Sequence, residues 1–398
     1  MDREKLFNHN YVFLSLSGLI ISFGYSMIAA LIGTYGVSLG AGLTAAGALA
    51  GIYSIAALLV RPFGGFATDH FNKRSICIFS TALICAAMAG YAAAPGIKSM
   101  FLVRVLHGIA FGINQTANIA ILYDYVPKNR LAEGIGYYSL GQVVSQVCGP
   151  GLGIAVRDQL GYRTLFLIIA AATLLSVVLL ALTDRGRAPQ TGEKLQLSWK
   201  NLIAVPCIVY ALIGGLFSLE NGIVNSFILL LAEEREIRGI SLFFTCNAIV
   251  LFLIRMSVGK IVDRHSLTMV VNISLLTSIA AMALVGGGTC LWVLLAAAVL
   301  KAVGQGSGQI SLQTACMKKV DALRVGIATS TFYIGADLGQ GLGPIICGRI
   351  SEQYGYETMF YCVAVLIGLA MVGFNIYQRK EEQGSGISEE QSKTIRSV

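Results

Sequence analysis

Between Lys5 and Arg61 the chain carries no charged residue apart from a neutral-leaning His9, and the run is long enough for two membrane crossings of roughly 20 residues each. Few structures can accommodate such a stretch. It lacks the alternation of a barrel strand, and in lipid every backbone N–H and C=O must be satisfied within the segment, which leaves the α-helix. Further charge-free runs follow at 75–97, 105–123, 134–156, 164–183, 201–219, 265–300 and 358–378. With shorter runs at 239–254, 302–317 and on either side of Asp337, about twelve spans are expected. A mean hydropathy of +0.71 with only 13% charged residues is a composition that a water-facing surface does not tolerate. The expected class is an all-α polytopic membrane protein. The opening "MDREKLFNHN" carries both charge signs and is followed by no small-residue cleavage site, so it reads as leading into a retained first helix rather than a removable signal peptide.

Orientation follows from lysine and arginine. Placing the N-terminus, the loops near 70, 129, 190, 262 and 320, and the C-terminal tail on one side puts 19 of the 29 basic residues there, against 6 on the other. That bias assigns both termini to the cytoplasm, with the inner (plasma) membrane as the expected location. The net charge of +8 is thus an orientation signal. Its residues are scattered over loops and form no stripe, so no nucleic-acid partner is expected. The nine cysteines are dispersed and show no metal-ligand spacing, which fits small packing residues. No phosphate-binding loop of Walker type, nucleophile motif or metal cluster occurs, so neither an enzyme nor a cofactor is expected.

"RPFGGFATDHFNKR" at 61–74 breaks this apolar background, and "RMSVGKIVDRH" at 255–265 repeats it. Arg61, Gly65 and Asp69 match Arg255, Gly259 and Asp263 at a constant offset of 194 positions. The offset then holds without a gap through Arg130 and Arg324, Gly141 and Gly335, Gly149-Pro150 and Gly343-Pro344, and "GYRTLF" and "GYETMF". Two homologous halves of six spans each are implied, as parallel repeats. The expected division is 1–183, a cytoplasmic linker at 184–201, 202–380, and an unstructured tail at 381–398 with few apolar residues. In each half the charged phrase ends the second span. Spaced i, i+4 and i+8, Arg61, Gly65 and Asp69 share a helix face, with glycine admitting a neighbour and the aspartate suited to a helix N-terminus. Lys73, Arg74 and, in the second copy, Arg264 are expected at the headgroups, completing a releasable cytoplasmic gate.

"GGFATDHFNKR" resembles the loop signature of the major facilitator superfamily, Gly-x-Leu-Ala-Asp-Arg-x-Gly-Arg-Arg, through Gly65, Asp69, Lys73 and Arg74. "RVLHGIAFG" keeps Arg104 and Gly108 of a second family pattern and has His107 in place of glutamine. Gly136, Gly149, Pro150 and Gly153 in the fifth span are similar to the signature of the drug:proton antiporter branch, and Gly343-Pro344 stands at the matching place in the eleventh. The resemblance covers about 11–380. It implies alternating access, a cavity lined by the first, fourth, seventh and tenth spans, and gating by the loop signatures.

A charge at mid-bilayer costs roughly 2.5–3.5 kcal/mol, so each one calls for a reason. Arg104, Glu220, Lys301 and Asp337 stand out, two bases and two acids able to neutralise one another across an interface. Lys301 and His107 share one position in the repeat, and Lys301, Gln305, Gln309 and Gln313 form a stripe of fourth residues that must face a cavity or a helix. Asn114, Gln115, Asn118, Gln142, Gln146, Asn221 and Asn225 supply further polar groups to the expected cavity. Asp337 or Glu220 is the expected proton-coupling carboxylate, with a structural ion pair as the alternative role. Arg104 and His107 are expected at the cavity, with snorkelling as the alternative for Arg104, which is nearer the outer end, and helix packing as the alternative for His107. Taken together, the residues describe a monomeric secondary transporter in the lipid bilayer, exporting a small organic compound against protons. An importer or uniporter of a small polar or anionic metabolite, and more remotely a non-transporting sensor, are the alternatives.

Overall fold

A computed structural model describes residues 6–40, 43–184 and 202–396. Ten long helices and no strand occur among them. They are α1 (His9–Ser38), α2 (Leu43–His70), α3 (Lys73–Ala93), α4 (Ile97–Tyr125), α5 (Leu131–Ala181), α6 (Ile208–Glu234), α7 (Ser241–Arg264), α8 (Leu267–Gly287), α9 (Leu291–Lys318) and α10 (Val325–Arg396). Two of the ten are double spans. α5 is broken at Gly161 (φ 78°, ψ 167°) and α10 at Gly355 (φ 82°, ψ 164°), so ten helices make twelve crossings. That backbone conformation is essentially closed to residues with a Cβ. Gly161→Ala is therefore expected to cost about 1–3 kcal/mol, visible as a lowered unfolding midpoint in detergent.

The expected seventh, tenth and eleventh spans are α6, α9 and the first part of α10. α10 continues as helix to Arg396, beyond the boundary at 381 where composition predicts an unstructured tail. A low apolar content argues against a packed face, not against a helical backbone running on from a packed one. The linker residues 185–201 lie outside the described residues.

Within the first half α1 packs on α5, α2 on α4, and α3 on α4 and α5; within the second, α6 packs on α10, α7 on α9, and α8 on α9 and α10. The halves meet along α2 with α10 and α5 with α7. Small residues set these approaches. Gly149 and Gly153 of α5 lie against Ser26 and Met27 of α1, while Gly343 lies on Leu219 and Gly222 under Pro344 between α6 and α10. Local signals are duplicated as well. Asn72 accepts from the Ser75 amide to start α3, and Ser266 accepts from the Met269 amide to start α8. The faces are alternately linked, so α1 begins where α5 ends, joined by Asn10 Nδ2 donating to Asp184 at 2.7 Å. The face carrying both of these ends, and most of the basic residues, is called the basic face below.

Candidate functional site

At the basic face Asp69, near the end of α2, accepts the Gly326 and Ile327 amides at 2.6 and 2.9 Å. These are unpaired N–H groups of the first turn of α10, in the opposite half. Its repeat mate Asp263 accepts the Ala132 and Glu133 amides of α5 at 3.3 and 3.2 Å. The contact is thus made twice, crosswise, at the 194-residue offset. Gly65 permits the first, because a Cβ there would stand 2.6 Å from Ser330 Cβ, and Gly259 permits the second against the Glu133 backbone. Gly136 admits the Arg255 carbonyl to α5 in the same way, so it serves the contact between halves rather than the packing on α1.

Lys73 and Arg74 are not headgroup anchors. Lys73 is buried, its Nζ 2.9 Å from Asp124 of α4, and Arg74 donates to the Leu180 and Ala181 carbonyls that end α5. Both turn inward because each finds an acceptor there, a buried carboxylate for Lys73 and carbonyls left over at a helix end for Arg74. Arg264 ends α7 and is exposed, consistent with a headgroup position.

Arg61 lies nine residues above the end of α2, about 14 Å into the membrane at 1.5 Å per residue. There it forms an ion pair with Asp337 of α10, gives a hydrogen bond to Gln115 of α4 at 3.0 Å, and stacks over Tyr333 at 4.7 Å. Its carbonyl accepts from Ser330 at 2.5 Å. Expected at the gate, Arg61 belongs instead to the centre, because a long side chain on the face shared with Gly65 and Asp69 reaches up and across into the other half. Arg255, its mate, donates to the Ser139 carbonyl of α5 at 2.8 Å. A cavity of about 80 Å³ lies between the halves at this level, bordered by Ser139, Gln142, Arg255, Gln309, Gln313 and Tyr333.

The other intramembrane charges do not neutralise one another across the interface. Glu220 accepts from Ser278 of α8 at 2.8 Å, and Lys301 donates to Asn221 and Gln305 at 3.0 and 2.8 Å, all within the second half. Arg104 does not snorkel. It is buried, donates to the Leu49 carbonyl at 3.2 Å and lies over Tyr53 at 4.5 Å, since α2 offers an acceptor and a ring nearer than the membrane surface. His107 meets the Tyr91 hydroxyl at 3.2 Å. Asn114 donates to Ser80 and Thr81 of α3, and Asn118 to Asn114, so both point away from the interface. The glutamine stripe of α9 turns to α6 and the interface: Gln309 donates to Ser218 at 3.2 Å and Gln313 to Tyr333 at 3.3 Å. Asn225 is exposed on α6.

Sequence reasoning missed Tyr25, Tyr53 and Phe111, whose rings cluster with centroids 5.2–5.3 Å apart, Tyr25 stacking on the other two, beside Arg104, and it missed Ser330 and Tyr333. The aromatic residues, spread through every span, gave no contrast; applying the offset to Ser139 would have drawn attention to Tyr333. Among the described residues no group of three or more acidic, histidine or cysteine side chains is arranged to hold a metal.

The family model for the "Major Facilitator Superfamily" matches residues 14–322 and 210–397. The "Multi-drug resistance efflux pump PmrA" of Streptococcus pneumoniae serotype 4 is 22% identical over 353 residues, 84% of this chain and 86% of that protein. The "Multidrug resistance protein MdtG" of Citrobacter koseri is 23% identical over 336 residues, 81% of this chain and 82% of that protein. Among solved structures, the human organic anion transporter MFSD10 (TETRAN) superposes with a TM-score of 0.77 at 16% identity, covering 92% of this chain and 98% of that one.

Proposed function

Because the chain belongs to the major facilitator superfamily, we propose that it works by alternating access, exporting a small organic compound against an inward flow of protons. The name of one relative, the multi-drug resistance efflux pump PmrA, supports export. The observation that carries the coupling is the ion pair of Arg61 and Asp337, which joins the halves inside the membrane. The contacts between halves described above all lie toward the basic face, so the protein is closed there. With both termini cytoplasmic, this is the outward-open state, as a monomer in the plasma membrane. A proton from outside neutralises Asp337, removes its hold on Arg61 and frees α10 from α2; substrate arriving from the cytoplasm then meets a protein able to give that proton up inward. The divisions 1–183 and 202–380 are the two bodies that rock, linked by 184–201.

Metabolites in cells and medium are compared for wild type, empty vector and Asp337→Asn, with and without a protonophore. Wild type is expected to enrich particular compounds in the medium. Asp337→Asn and the protonophore each bring them to the vector level. Efflux by Asp337→Asn equal to wild type removes Asp337 from the coupling.

A second reading, uptake of a small anionic metabolite, is favoured by Arg104, for which no carboxylate partner occurs among the described residues. Depletion of anions from the medium by wild type selects it.

A further inference from the structure

Arg61 and Arg255 occupy one position in the two halves, yet their surroundings differ in charge. Arg61 is bonded to Gln115 and Asp337; the positions matching these two at the 194-residue offset are Gln309, which borders the cavity with Arg255, and Val143, which packs with Leu251 of α7. The amide is duplicated and the carboxylate is not. Among the described residues Arg255 has a single hydrogen bond, to the Ser139 carbonyl, and its Nε is buried without a partner. The guanidinium lies nine residues from the end of α7, about 14 Å into the membrane. At that depth a cation with one neutral acceptor is far from satisfied, and a planar oxyanion is what its fork of N–H groups matches best.

The cavity beside it has room for the polar end of a small molecule. Its volume of about 80 Å³ is several times the roughly 10–15 Å³ that holds one water on the same measure. Gln142 and Gln309 border the same cavity as Arg255, and the wall comes from both halves.

We infer that this cavity takes the anionic end of the transported molecule, the carboxylate of a small organic acid, with Arg255 as its charge partner and Gln142 and Gln309 beside it. The inference rests on the transport reading above and names the substrate class. The ligand supplies to the second half what Asp337 supplies to the first. Binding occurs where Arg255 also holds the Ser139 carbonyl across the interface, so an arriving anion acts on the same contact that keeps α5 and α7 together.

The test uses full-length protein in the comparison of cell and medium metabolites, with Arg255→Gln, Arg255→Lys, Val143→Asp and Val143→Asn added. Val143→Asp is decisive, since it builds into the chain the carboxylate that the ligand is inferred to bring. The expected result is that the solutes moved by wild type are organic anions. Arg255→Gln and Val143→Asp bring them to the vector level, Val143→Asn moves them as wild type does, and Arg255→Lys keeps part of the transport. Purified Val143→Asp is also expected to unfold at a higher temperature than Val143→Asn, through its new pair with Arg255. If Arg255→Gln does not fold, the two Val143 variants decide. Solutes that are neutral or cationic, or anions moved equally well by Val143→Asp, overturn the inference while transport itself stands. So does a Val143→Asp protein less stable than Val143→Asn. A medium that wild type leaves unchanged overturns the transport reading and this inference with it.

Discussion

Lys73→Ala is expected to destabilise the protein by about 3–5 kcal/mol, the cost of breaking a buried ion pair from one side. The side chains of Lys73 and Asp124 are 7% and 2% exposed, and their charged atoms are 2.9 Å apart. Lys73 also reaches the Ala120 carbonyl at 3.4 Å, so its loss weakens the end of α4 at two points. A surface lysine would cost a fraction of this. The paired substitution Lys73→Met with Asp124→Leu restores apolar packing and is expected to recover most of the loss, because two compatible apolar groups carry no desolvation debt. Unfolding in detergent, read as a double-mutant cycle, separates the outcomes. Equal destabilisation by Lys73→Ala and by the pair of substitutions would show that packing, not charge, holds this corner.

The consequence reaches Asp69, because Lys73 begins α3 immediately after the turn that follows it. Arg74 fastens the same turn to the end of α5. An aspartate that is to meet two amides in the other half must project from a fixed base, and these two inward-turned cations provide it.

Which parts of this were legible in the sequence depends on the kind of information each needs. The spans were, since lipid leaves the backbone few options, and so was the division into halves, since an offset that holds from Arg61 to Gly355 is a property of the letters alone. The place of Asp69 at a helix N-terminus was also within reach, because a carboxylate at the end of one span and the start of another belong to one face of the membrane. Rotation and reach were not. Depth along α2 placed Arg61 near the gate, but only the direction of its side chain brings it to Asp337, 276 positions away. Lys73 was read from its charged neighbours, whereas its partner Asp124 lies 51 positions on, at the end of another helix. Arg104 shows the same limit: its height in α4 allowed snorkelling, and the nearby Leu49 carbonyl and Tyr53 ring decided otherwise. Arg255 was legible as a repeat of Arg61 but not as a departure from it, because Val143 becomes informative only once Asp337 is seen to be Arg61's partner.

The pair of latches makes the second large prediction. Replacing both Asp69 and Asp263 by asparagine is expected to open the basic face. Each carboxylate accepts two amides at a helix N-terminus, and asparagine offers a single neutral oxygen. Losing one hydrogen bond to a charged acceptor in each copy is worth about 1.5–3 kcal/mol, and sites this far apart act nearly additively. Together they shift the balance between the two states by a factor of roughly 10² to 10⁴. Amide exchange reads this directly: protection of Gly326, Ile327, Ala132 and Glu133 is expected to fall in the double variant, with smaller effects in each single one. The single variants are not expected to be equal, because the Asp69 contacts, at 2.6 and 2.9 Å, are shorter than the Asp263 contacts at 3.3 and 3.2 Å. Asp69→Asn is the more disruptive of the two, and it loosens the seam of α2 and α10 where Arg61 holds Asp337. If protection is unchanged in the double variant, the latches are passive packing, and closure of this face rests on the other contacts between the halves, chief among them the Arg61–Asp337 pair and the bond from Arg255 to the Ser139 carbonyl.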